Sequence, residues 1–290
     1  MTQALTSVPK SPRASAPSLP ASVSKIRYLS HVPSSAKAIR TFQQPTTRVA
    51  VEEKLDWSSL QSAEADGEPL DCITLVVLPP DAAQETKRAT EGWIAAPDSP
   101  GAISTTSFVL NNCKVRWRPG KAVLQGLPDT VERAKEALVE FAFLEGELRR
   151  LERMLEKQEK IAPADVPRAH RIRFIHRREW PRIGETVERL YSMRLTYGRL
   201  ESRVAAVLHT MPRESRQVME RLVEEAGLEE RMEGVSDRLE TCEDLYEGAN
   251  DRIADYHWYL EGGWMELTII ALLVVEIVLM ATDVYMKHLK

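Results

Sequence analysis

A run of aliphatic side chains near the C-terminus constrains this chain more than any other feature. Leu267 to Thr282 is apolar apart from Glu276. Trp264 to Tyr285 spans 21 helical rises of about 1.5 Å, roughly 30 Å, which matches the hydrocarbon thickness of a bilayer. Trp264 and Tyr285 fall where an aromatic belt places them, and Lys287, His288 and Lys290 follow. The expectation is a single transmembrane helix over 264–285. The competing reading is a buried core helix, but core helices rarely carry so many consecutive aliphatics at the end of a heptad helix. Glu276 stands mid-span, where a carboxylate is costly and usually faces protein. Leu272, Leu273, Leu279 and Met280 lie one turn away, with no cation among them. Its partner is then another chain, or it is a carboxyl hydrogen-bonded within a homo-oligomer; the alternative is a lone Glu tolerated in lipid. Gly262-Gly263 interrupts the pattern just before the span, as a hinge would. Arg252 on one side against Lys287 and Lys290 on the other does not fix the orientation.

Heptads lead up to the span. Ala134, Leu138, Phe141, Leu144, Leu148, Leu151 and Leu155 alternate three and four apart behind Asp129 or Thr130 as the expected cap, and Pro163 and Pro167 are expected to end that helix. Leu190 to Val207 repeats the spacing after Pro181, which suits a first turn. Pro212 to Ala226 reads as a short helix with Gly227 as its stop. Met232, Val235, Leu239, Cys242, Tyr246, Ala249, Ile253, Tyr256 and Leu260 hold the heptad toward the end of the chain. Each seam fits an intramolecular bundle or a coiled coil with another chain; connections this short favour the bundle over 129–260.

The N-terminal part differs in texture. Residues 1–50 carry nine Ser, six Pro, seven cations and no acid. Such a segment buries too little surface to offset the entropy of ordering, so a disordered basic tail is expected, serving either as an organelle transit peptide or as a plain tail. The remaining chain holds 32 Lys and Arg against 43 Asp and Glu. That balance excludes a general nucleic-acid-binding surface, because phosphate binding draws on positive potential. Residues 51–128 read as a small α/β domain: Ile73 to Leu78 is a β-branched run closed by two prolines, Phe108 to Trp117 is a hairpin turning at Asn111-Asn112, and Ala122 to Leu127 adds a strand. The fold class is therefore α+β: a small β-containing domain, long antiparallel helices and one C-terminal transmembrane helix.

One cluster fits anion binding. Arg168, Arg171, Arg173, Arg177, Arg178 and Arg182, interleaved with Phe174 and Trp180, concentrate guanidinium groups in an otherwise acidic body. Anionic lipid headgroups and RNA phosphates are the candidate ligands, a solvated linker paired with neighbouring acids the bland reading. No phosphate-binding glycine loop, nucleophile elbow or zinc-helix motif occurs, the histidines lack metal spacing, and Cys72, Cys113 and Cys242 lie far apart. His257 and Glu261, one turn apart, read as a surface pair. Neither an enzyme nor a cofactor is expected, and the scattered cysteines fit a reducing compartment.

The segment Arg231-Met232-Glu233-Gly234-Val235-Ser236-Asp237-Arg238-Leu239-Glu240 resembles the Arg-Val-Glu-x-Leu-Asn-x-Arg-Leu-Asp segment of the required-for-meiotic-nuclear-division family. Ile269 to Leu279 resembles that family's aliphatic span, including a Glu at the place of Glu276. More weakly, Ala134 to Leu155 is similar to its helix after the sheet. The resemblance covers roughly residues 70–285, with the last sixty positions its specific part. It implies a mitochondrial inner-membrane protein that supports mitochondrial translation by tethering the ribosome, with no catalytic residues to carry over. The alternative is a structural subunit of a bacterial or organellar membrane complex that binds anionic lipid through the arginines. A second resemblance, to the magnesium-channel fold, lacks the second span and the Gly-Met-Asn pore motif, so ion conduction is not expected.

Overall fold

A computed structural model describes residues 22–31, 38–57, 71–96, 105–170 and 180–288, with the backbone alone at 166–170, 180, 256, 257, 261 and 282–288. Among these residues the order is β1 (Ser22–Leu29), β2 (Ala38–Phe42), β3 (Arg48–Leu55), β4 (Cys72–Leu78), α1 (Gln84–Ala95), β5 (Thr106–Leu110), β6 (Cys113–Arg118), β7 (Lys121–Gln125), α2 (Pro128–His170), α3 (Trp180–Thr210), α4 (Arg213–Glu225) and α5 (Leu228–His288). The α+β class holds: a sheet fills the N-terminal half and long helices the rest. The chain divides into two compact units, and α2 belongs to the first up to Phe143 and to the second from Leu144.

In the first unit seven strands form one sheet in the order β2-β3-β1-β4-β7-β6-β5. Every pairing is antiparallel except β4 with β7, whose connection carries α1 and the β5–β6 hairpin. The hairpin turns at Asn111 and Asn112, with φ of 49° and 59°, the positive values that a two-residue turn demands and Asn tolerates. Alternation along the strands gives the sheet two faces. One receives the first turns of α2. There Phe42 stacks on Phe143 with ring centroids 4.0 Å apart, Trp117 meets Phe141 edge-on, and the Tyr28 hydroxyl donates to the Val139 carbonyl at 2.8 Å. The other face carries Val23, Val76, Leu78 and Val123 against Ala82 and Ile94 beside α1. α4 buries Ser215, Val218, Met219, Leu222 and Val223, one helical face, and Gly227 follows with φ +58°, the left-handed stop that glycine adopts without penalty.

The expectation of a disordered tail over residues 1–50 is corrected at 22–31 and 38–50, where three strands form; residues 1–21 and 32–37 lie outside the described residues. β1 is an interior strand that buries Ile26 and Tyr28 on one face and Val23 on the other, a pattern only a few residues long. The Ser and Pro content of the segment as a whole conceals that short pattern, so the small β-containing domain begins before residue 51.

In the second unit α2, α3 and α5 pack through heptad seams. Leu144, Leu148, Leu151 and Leu155 are buried on α2, Leu190, Met193, Tyr197, Leu200, Val204 and Val207 on α3, and Leu228, Met232, Val235, Leu239, Cys242, Tyr246 and Ala249 on α5. Contacts fix the directions. On α3, Arg182 approaches Asp165 while the later Arg189 approaches the earlier Gln158, so α2 and α3 run antiparallel. On α5, Arg231 meets Glu152 and Arg238 meets Glu159, so α2 and α5 run parallel.

Two expected interruptions do not occur. α2 continues through Pro163 and Pro167 to His170, although each proline removes one hydrogen bond from the ladder. Between them Asp165 is buried in contact with α3 and α5, and tertiary packing outweighs the local cost. α5 likewise passes through Gly262 and Gly263 as one helix of 61 residues. Glycine lowers helix propensity by only about 1 kcal/mol per residue, too little to break a helix extended on both sides by good formers.

Candidate functional site: the bundle seam and the terminal apolar helix

The α5 helix joins two chemically different halves. From Leu228 to Ala249 its apolar positions are buried at heptad spacing. Beyond Ala249 none of its described side chains is buried. Ala249 precedes Trp264 by fifteen residues, about 22 Å at the α-helical rise. This stretch exposes Trp258 and Tyr259. Past Trp264 the helix is long and apolar enough to cross a membrane, with a mean hydropathy of 2.2 over its apolar window and none of that window buried. Leu272, Leu273, Leu279 and Met280 are all exposed around Glu276, which is exposed too. A fully bare aliphatic face of this length is unfavourable in water and favourable in lipid.

At the other end, the resemblance-bearing segment Arg231–Glu240 lies against α2. Arg231 grips Glu152 with Nε and Nη2 at 2.9 and 2.8 Å and reaches Glu145 at 3.2 Å; Arg238 grips Glu159 at 2.7 and 2.6 Å. The Arg238 hydrogen bond holds the Glu159 carboxyl below the usual carboxylate range. Ser236 accepts from Arg194 of α3 at 3.2 Å. The arginines of this segment are thus bundle residues.

The seam becomes polar toward the end of α2. Gln158 donates to the Tyr246 hydroxyl at 3.0 Å, and that hydroxyl donates to Asp165 at 2.9 Å. All three are buried, and burial followed by the Asp165 hydrogen bond pushes the Tyr246 phenol well up. Arg189 reaches the Gln158 amide oxygen at 3.5 Å and Arg182 stands 3.9 Å from Asp165. A satisfied polar layer of this kind fixes which helix faces meet, since any slip strands its members in an apolar seam. Ending the heptad at Leu155 in the sequence hides it. Continuing the same spacing brings Gln158 and Asp165 to seam positions, which is the signal that finds them.

Of the predicted anion-binding arginines, Arg182 keeps 57% of its side chain exposed while it pairs with Asp165. Arg168 lies on the described backbone of α2, and its side chain, with Arg171, Arg173, Arg177 and Arg178, lies outside the described residues. Trp264 and Glu276 stand exposed on α5, and Tyr285 lies on its described backbone only. His257 and Glu261 likewise lie on described backbone only. Among the described residues no group of His, Cys, Asp and Glu is arranged to hold a metal. The three cysteines are free, and burial pushes the Cys113 thiol up to about 11.

No protein-family model matches this chain, and no curated protein matches it either.

Proposed function

We propose that this protein is a membrane-anchored scaffold or tether. The observation that carries the reading is α5, one helix that begins in the packed seam, leaves it after Ala249 and continues without a break into the exposed apolar stretch. A continuous helix transmits position, so a body built around its first half is held about 22 Å from an aromatic boundary at Trp264. The resemblance of Arg231–Glu240 and Ile269–Leu279 supports a finer version, in which the membrane is the mitochondrial inner membrane and the tethered body is the ribosome. Mid-span Glu276 supports assembly into a homo-oligomer within the bilayer. Purification of the tagged full chain from solubilised membranes, with identification of accompanying protein and RNA, tests it. Ribosomal components in stoichiometric amounts are expected. A particle holding this chain and anionic lipid alone overturns the ribosomal reading in favour of a lipid-binding membrane-complex subunit.

A further inference from the structure

The outer face of α3 carries a second apolar stripe that the bundle does not use. Leu190, Met193, Tyr197 and Leu200 are buried in the seam. On the other side of the helix Tyr191, Leu195, Gly198 and Ser202 alternate four and three apart, the spacing of a helix-packing seam. Tyr191 and Leu195 nevertheless leave 53% and 62% of their surface in solvent. Together with Arg194, Arg199 and Gln44, which belongs to the same compact unit, the stripe lines an open groove of about 600 Å³. From Tyr191 to Ser202 the groove follows about three turns of α3, roughly 17 Å, a length that suits a helix laid along it better than a compact small molecule. Glycine weakens a helix interior, and a Cβ on Gly198 would meet nothing within 4 Å, so packing among the described residues does not call for it. Its bare backbone suits the close approach of another helix.

Charge selects the occupant. Among the described residues the lining holds two cations and no acid, and Glu188 and Glu201 of the same helix stand outside it. Arg194 donates to Ser236 at 3.2 Å and stands 3.7 Å from Glu243, contacts with α5 that fix it on one flank of the stripe with 41% of its side chain exposed. Helical spacing sets the exposed Arg199 on the other flank. A second copy fits poorly. Anchored in the same bilayer in the same sense, it presents α3 parallel to its twin, and heptad geometry then sets Arg194 of one copy against Arg199 of the other, a like-charge contact. Lipid fits no better. Ser236 and Glu243, which Arg194 touches, precede Trp264 by 28 and 21 residues, roughly 40 and 30 Å of helix and beyond the reach of headgroups. That distance rests on the anchor reading, while the groove itself does not.

We infer that the Tyr191–Ser202 groove docks an amphipathic helix of a partner protein, apolar at heptad spacing and acidic on both flanks. Fluorescence anisotropy of the full chain in phosphatidylcholine nanodiscs tests this, with a labelled synthetic helix of about eighteen residues carrying Leu at its seam positions and Glu on its flanks. Saturable binding is expected, roughly tenfold weaker when Lys replaces Glu in the peptide. Leu195→Ser, which removes an apolar anchor, and Gly198→Leu, which fills the groove, should each abolish it. Arg199→Glu should reverse the preference in favour of the Lys peptide. These three sites have room around them, so each variant should keep the thermal unfolding of the unaltered chain. Absence of binding by the unaltered chain, binding equal in all variants, or binding indifferent to peptide charge overturns the inference. A smaller assembly of Gly198→Leu in light scattering would overturn it in favour of a second copy, and binding of phosphatidylglycerol vesicles that Leu195→Ser abolishes would do so in favour of lipid. Failure of the membrane anchor would leave these peptide results standing, so the two readings fail separately.

Discussion

Arg231 of α5 holds Glu152 of α2 in a two-pronged ion pair, and seven residues further along both helices Arg238 holds Glu159 in the same way. Two helices keep a common seven-residue step only when they run parallel with matched seams. Here α3 supplies the return path between them. The ladder therefore fixes the register of the helix that carries the apolar span.

The two rungs differ in burial, and their variants should differ accordingly. Arg231 is the more enclosed and serves Glu145, which is buried, as well as Glu152, whereas Arg238 and Glu159 are each more than a third exposed. Arg231→Ala leaves the buried Glu145 with Arg149 alone and Glu152 without its two-pronged partner, and is expected to cost about 1–3 kcal/mol. Arg238→Ala should cost under about 1 kcal/mol, because water screens an exposed pair. Urea unfolding of the two variants in one detergent checks the order.

Acid should weaken the first unit through Glu52. Burial works to raise this carboxyl, but hydrogen bonds from Lys135 and Ser24 outweigh it and hold the group below its ordinary value. A depressed carboxylate contributes stability that is present above its unfolded value and is lost as pH falls through the folded one. The Lys135–Glu52 link joins α2 to β3 at 2.8 Å. Thermal unfolding of the unaltered chain and Glu52→Gln, followed from pH 7 to pH 3, should show the difference between them shrinking below about pH 4.5.

Much of the helical half was legible in the sequence because heptads report burial directly: Met232, Val235, Leu239, Cys242 and Tyr246 are all buried as their spacing requires. The polar layer escaped because Gln158 and Asp165 are invisible to a search for apolar residues. Pro163 and Pro167 mark a local cost that the contacts of Asp165 with Arg182 and Tyr246 offset, and those partners are distant in sequence. β1 to β3 were concealed by the Ser and Pro around them, and the pairings of β1 with β4 and of β4 with β7 join segments far apart in sequence, which no local pattern encodes.

Glu276 offers a test of assembly. A carboxyl at mid-span costs several kcal/mol unless it meets a protein partner, so an oligomer built on it should depend on its hydrogen bonding. Glu276→Gln keeps that capacity and should preserve a detergent-stable assembly, while Glu276→Leu should dissociate it. Size-exclusion chromatography with light scattering distinguishes them; an unchanged assembly in the Leu variant would show that the carboxyl holds nothing together.

The anchor itself is tested most directly by alkaline carbonate extraction of membranes from cells expressing the full chain or residues 1–263. The tether account predicts that the full chain stays in the pellet and the truncated chain is released to the supernatant with its bundle folded, because Ala249 and everything buried before it remain. Release of the full chain, or retention of the truncated one, would contradict it.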